Sequence, residues 1–189
     1  MKKLIIILFA IVCANASVFA EDTASLGAKL VEQAKASGDS QLGSLGSLLT
    51  DKAKSFAGSL AGNSAVKGKV DDVLKSLLGD KDSAALNSAL QLAGAAKLTP
   101  QQTDLAKQVG NVASAYVVQK NFSKLEGAQG DVSSLVNSLR DGKLTSAVTP
   151  LKNIAQNNHL TDGQKQLVKT LMDKYAPGLN KIGGVKKLF

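Results

Sequence analysis

Residues 98–116 read Leu98-Thr99-Pro100-Gln101-Gln102-Thr103-Asp104-Leu105-Ala106-Lys107-Gln108-Val109-Gly110-Asn111-Val112-Ala113-Ser114-Ala115-Tyr116. Leu105, Val109, Val112 and Tyr116 recur at three and four, the spacing that lines side chains along one stripe of an α-helix. Thr99 and Gln102 stand where a capping box needs them. The threonine hydroxyl accepts from the third helical amide, and the glutamine side chain returns to the cap's own N–H. Pro100 falls at the first helical position, where a missing N–H costs nothing. The stretch therefore predicts a helix that starts at a defined residue.

The same element recurs 62 residues on as Leu160-Thr161-Asp162-Gly163-Gln164. Here Asp162 takes the proline's place and suits the positive end of the helix dipole. Sliding the chain by 62 residues lays Val70–Val109 on Val132–Leu171 without a gap, with 11 of 40 positions identical, among them Ser76/Ser138, Leu77/Leu139, Ala85/Ala147 and Leu105/Leu167. This self-similarity predicts tandem helical units. Helical stripes also appear at Val70, Val73, Leu74 and Leu77, and at Leu167, Val168, Leu171, Met172 and Tyr175. Gly79, Gly127, Gly130 and Gly142 fall between stripes, where helices stop. Pro150 stands where Ser88 stands in the first unit, and predicts a broken or restarted, shorter helix with Thr149 as its cap. Leu49-Thr50-Asp51 resembles the capping element, with Phe56 and Leu60 following at helical spacing. It points to a partial third copy.

The fold expected is all-α: a helical bundle or short helical repeat array, with two tandem three-helix units of about 62 residues and an N-terminal helical segment. The segments are a signal peptide over 1–20, an N-terminal helical segment over 21–66, and repeats over 67–127 and 128–189, the second ending in a basic amphipathic tail.

The signal peptide rests on three features in order. Lys2 and Lys3 are positive, Leu4–Val12 is unbroken apolar sequence, and Val18-Phe19-Ala20 ends in a small residue before Glu21. The apolar run is far short of the ~20 residues a membrane span needs. Cys13 is the only cysteine. It follows β-branched Val12, a poor neighbour for a lipidation site. Loss of residues 1–20 would leave a chain without disulfide or thiolate, and would lower the net charge from +8 to +6. Arg140 is the sole arginine, and lysine is a hydrated point charge that clamps anions poorly.

Chemistry-bearing residues are few. His159 is the only histidine, with Asp162 near it in sequence; its counterpart in the other unit is Lys97, which makes a solvated loop residue the expectation. One histidine and one cysteine leave no zinc set. Asp71-Asp72 and Asp80-x-Asp82 lack the alternating oxygen ligands, central glycine and closing glutamate of a calcium loop, and read as acids gathered at helix N-termini. After Glu32 the only glutamate is Glu126, so no carboxylate pair for glycoside hydrolysis stands out. No phosphate-cradling glycine loop occurs, and Gly183-Gly184 reads as a joint. Asn121-Phe122-Ser123 matches a glycosylation acceptor, although Phe122 is expected in the core.

The sequence thus predicts no catalytic, cofactor-binding or metal site and no enzyme. It predicts an exported protein, periplasmic or extracellular, with a structural or interaction role toward a protein or envelope polymer. The alternative is a low-specificity binder of anionic membrane, polysaccharide or extracellular nucleic acid. Leu179, Ile182, Val185, Leu188 and Phe189, interleaved with Lys181, Lys186 and Lys187, form a C-terminal tail suited to an anionic membrane or to docking on the bundle. Sequence-specific nucleic-acid binding is disfavoured, because lysines alternate with Asp and Ser and stacking aromatics are scarce. A carrier of an apolar ligand is disfavoured because Ala and Gly pack helices closely.

Overall fold

The computed structural model describes residues 23–60 and 62–176. They form helices joined by short turns, with no strand among the described residues. In order these are α1 (23–36), α2 (Ser40–Ser59), α3 (Ser64–Leu78), α4 (Asp82–Leu92), α5 (Pro100–Phe122), α6 (Gln129–Arg140), α7 (Leu144–Ala155) and α8 (Asp162–Tyr175). The molecule is an all-α bundle.

The long helix α5 organises it. Helices α2, α4 and α6 pack along α5, and α8 touches it more lightly. Helix α3 pairs with α4, α6 with α7, and α8 closes against α4 and α7. The sequence placed the apolar residues of α5 on one stripe. The structure differs: every residue from Val112 to Gln119 is buried. The reason is tertiary. A helix with neighbours all round buries every face, so Ala113, Ser114 and Ala115, which carry little apolar signal, are buried as fully as Val112 and Tyr116. One continuous core runs from Leu30 to Tyr175. Each fully buried Leu or Phe within it contributes about 1.5–3 kcal/mol relative to exposure.

Small residues set the closest approaches. A Cβ on Gly110 of α5 would stand 3.0 Å from the Ala89 carbonyl oxygen of α4. One on Gly27 of α1 would collide with the Thr50 side chain of α2, at 2.3 Å. Thr50 is therefore no cap. It lies mid-helix in α2, and its hydroxyl donates to Gly46 O (2.8 Å) and stands 3.1 Å from Gly27 O. The cap of α2 is Asp39, whose side chain accepts from the Gln41 and Leu42 amides. Leu49-Thr50-Asp51 has the composition of a helix start, but the apolar periodicity runs straight through it.

Both predicted capping boxes form, with each threonine accepting at 3.2 Å and each glutamine oxygen accepting at 2.9 Å. Each glutamine also donates onward at 2.6 Å, Gln102 to Ser59 O at the end of α2 and Gln164 to Asn121 O at the end of α5. The cap thereby ties each helix start to the exposed carbonyl end of an earlier helix, as such ends require. Gly79 and Gly142 lie just past α3 and α6 as expected, but Gly130 is the second residue of α6.

Pro150 corrects a further expectation. It lies inside α7, which is not shortened, having 12 residues against 11 in α4. The proline forfeits one hydrogen bond to the carbonyl four residues back. It is buried beside Ala147, Leu151 and Ile154, and that packing keeps the helix whole.

Candidate functional site

The polar residues gather at the C-terminal half of α5. Lys120, half-buried, donates to Asp80 Oδ1 (2.7 Å) in the α3–α4 turn and to Asp82 Oδ1 (3.0 Å) at the start of α4. Asn121 Nδ2 donates to Asp82 Oδ2 at 2.9 Å. Asp80 holds a left-handed backbone (φ 55°) at a turn position where Gly142 (φ 69°) stands 62 residues later. A non-glycine residue is uncommon there, and Asp80 uses the position to reach Lys120. Burial alone would lower the Lys120 pKa, but the hydrogen bonds and charges of Asp80 and Asp82 outweigh it and raise the ammonium above its ordinary value.

One turn back, Gln119 Nε2 donates to Asp39 Oδ2 at 2.7 Å, joining α5 to the α2 cap. Burial would raise the Asp39 pKa, but hydrogen bonds from Gln119, Leu42 and Gln41 prevail and hold it below the usual carboxylate value. Between Asp39 and Lys120 lies a cleft of about 200 Å³, lined by Gln33 of α1, Ser37 in the turn after it, Asp39 and Leu42, and Tyr116, Lys120, Ser123 and Lys124. Tyr116 is 2% exposed. Burial raises its pKa, partly offset by the Lys120 charge.

A second buried polar link closes the far side of α5. Ser114 Oγ donates to Gly110 O (2.7 Å) and lies 3.0 Å from the Tyr175 hydroxyl. Either hydroxyl can be the donor of that contact. Burial pushes the Tyr175 pKa up to about 12 against the pull of the Ser114 hydrogen bond.

The residues weighed from sequence are placed as follows. His159 is exposed in the α7–α8 loop, its backbone N–H donating to Asn157 Oδ1 at 2.8 Å. Asp162 is exposed at the start of α8 and pairs with Lys165 at 3.1 Å. The Asp71-Asp72 pair lies within α3 rather than at its start, contrary to expectation. Asp71 is buried there and accepts from Thr23 Oγ1 at 2.5 Å, which fixes the start of α1 to α3. Asp71 is placed by this long-range contact and not by a helix dipole, while Asp72 is exposed. Asp82 does open α4. Asn121 is bonded inside the α5 terminus, and Phe122 is in the core at 1% exposure. Glu126 is exposed, and its backbone carbonyl accepts from Asn157. Cys13, the rest of segment 1–20, Gly183-Gly184 and the C-terminal tail lie outside the described residues.

Among the described residues no three His, Cys, Asp or Glu side chains are grouped to hold a metal ion, and no helix is long and apolar enough to cross a membrane. Comparison of the chain with protein-family models, curated proteins and solved structures gives no match. The cluster at Asp39, Tyr116 and Lys120 was not singled out from sequence. The one signal for it is the run Gln119-Lys120-Asn121 closing an otherwise small and apolar stretch.

Proposed function

We propose that this protein is exported and non-enzymatic, with a structural or interaction role in the cell envelope or extracellular space. One observation carries the reading: most of the inward-facing ionisable and polar side chains hold helices together. Asp39 caps α2, Asp71 holds α1, Asp82 binds Lys120, and Tyr175 bonds Ser114. Groups fixed in this way are poor candidates for proton transfer or nucleophilic attack, which need a reactive atom facing substrate. The leader-like order of Lys2-Lys3, Leu4–Val12 and Val18-Phe19-Ala20 supports export.

The surface favours polar partners. Leu144, at 38% exposure, is the only exposed large hydrophobic residue among the described ones. Recognition by that surface must work through lysines, amides and hydroxyls. This keeps the second reading, a low-specificity binder of anionic polymer or membrane, with the C-terminal tail as its membrane-facing element. The experiment expresses the full chain with its leader, sequences the amino terminus of the exported material, and measures retention on heparin and anionic vesicles against salt. A new terminus at Glu21 supports export; material that retains Met1 and stays inside the cell removes it. Retention that falls steeply with salt, and on vesicles also falls when the chain stops at residue 176, favours the second reading over the first.

A further inference from the structure

A second cleft, at the first described residues of α1, has like charges on the rim of a small apolar floor. Its volume is about 250 Å³, and it is lined by Thr23 and Ala24 of α1, Lys54, Ala57 and Gly58 in α2, and Lys67 in the first turn of α3. The floor is open: a Cβ built on Gly58 would meet nothing within 4 Å. Both ionisable residues of the lining are lysines. The acids nearest to them in sequence are Asp51 and Asp71. Among the described residues neither forms an ion pair with either lysine, and Asp71 is buried and already accepts from Thr23.

The chain itself supplies the complementary charge. Thr23 is fixed to Asp71 by its hydroxyl, so the polypeptide enters at the wall of this cleft. The two residues before it are Glu21 and Asp22, the first acids of the sequence. Successive Cα atoms are about 3.8 Å apart, so both acids stand within about 8 Å of the Thr23 Cα along any path. No ligand has to be drawn out of water, because the covalent chain brings two negative charges to the rim in every case. A tether this short also gives the carboxylates an effective concentration that a dissolved anion does not match. Two lysines and an uncovered floor then decide where the acids lie. We propose that Glu21 and Asp22 fold over this cleft with their carboxylates paired to Lys54 and Lys67. The contact needs no processing of the chain. Where a leader is removed after Ala20, it anchors the new amino terminus to α2 and α3, a consequence that rests on the export reading.

The test is acylation by an amine-specific reagent at low salt, read at each lysine by mass spectrometry. It is run on the full chain in whichever form is recovered, beginning at Met1 or at Glu21. An ammonium paired with a carboxylate gives up its proton less readily and is acylated more slowly. With Glu21→Gln and Asp22→Asn together, Lys54 and Lys67 should react about two- to fivefold faster, the range expected of exposed ion pairs, while Lys97 and Lys152 keep their rates. Unchanged rates at Lys54 and Lys67, or an equal rise at Lys97 and Lys152, overturn the proposal. So does protection that survives the substitutions and deepens with added heparin, which assigns the cleft to a dissolved anionic polymer, or with protein concentration, which assigns it to a second copy. Should the substitutions disturb the fold, the unsubstituted chain decides: salt at about 1 M must raise the Lys54 and Lys67 rates several-fold relative to Lys152. The sequence of the amino terminus tests export and the lysine rates test the contact, so either can fail alone.

Discussion

At the residue scale, single side chains with two partners carry much of the specification. Gln102 and Gln164 each complete a capping box and also reach a carbonyl ending a different helix. Thr161→Ala should cost about 1 kcal/mol, the usual worth of a cap. Gln164→Ala should cost more, because the Asn121 carbonyl also loses a partner; chemical denaturation of both variants checks the order. Titration gives a second test. The Tyr175 phenol is held neutral with a pKa pushed up to about 12. A group whose folded pKa is raised contributes stability below its unfolded value, and loses it as pH rises. Stability should therefore fall between pH about 10 and about 12. Tyr175→Phe should flatten part of that fall. Asp39 runs the opposite way: with its pKa lowered in the fold, its contribution is present above the ordinary carboxylate value and disappears on acidification. Asp39→Asn should lessen the acid sensitivity measured by circular dichroism.

At the element scale, the caps and stripes were legible because they are local. Thr99 and Gln102 lie within one turn of each other, and Val70, Val73, Leu74 and Leu77 repeat at the helical period. What could not be read was which helix the others surround. Nothing in the sequence from Val112 to Gln119 distinguishes a helix buried on every side from one with a single apolar face, since Ala and Ser suit either. Nor could the cleft be read, because Asp39 meets Gln119 across 80 residues and Asp80 meets Lys120 across 40. The reading of Pro150 failed for the same reason, a local rule overruled by burial. Glycines make the distinction measurable. Gly130→Ala, with open space around it in α6, should stabilise by about 0.5–1 kcal/mol through helix propensity. Gly110→Ala should destabilise by about 1–2 kcal/mol, because the added methyl group presses on the Ala89 carbonyl and forces α4 away from α5. Thermal unfolding of the two variants side by side reads the sign of each.

At the scale of the whole molecule, a single core predicts a single transition. Helices on both sides of α5 share it as a neighbour, so heat or denaturant should unfold the protein in one cooperative step with coincident spectroscopic probes. Stepwise melting of residues 67–127 and 128–189 would instead mark them as autonomous units. The position of α5 in the chain also bears on timing. It spans Pro100–Phe122, the middle of the polypeptide. Whichever end leads, the early helices appear without the partner that would cover their apolar faces. Closure of the bundle is thereby delayed until its keystone helix has emerged.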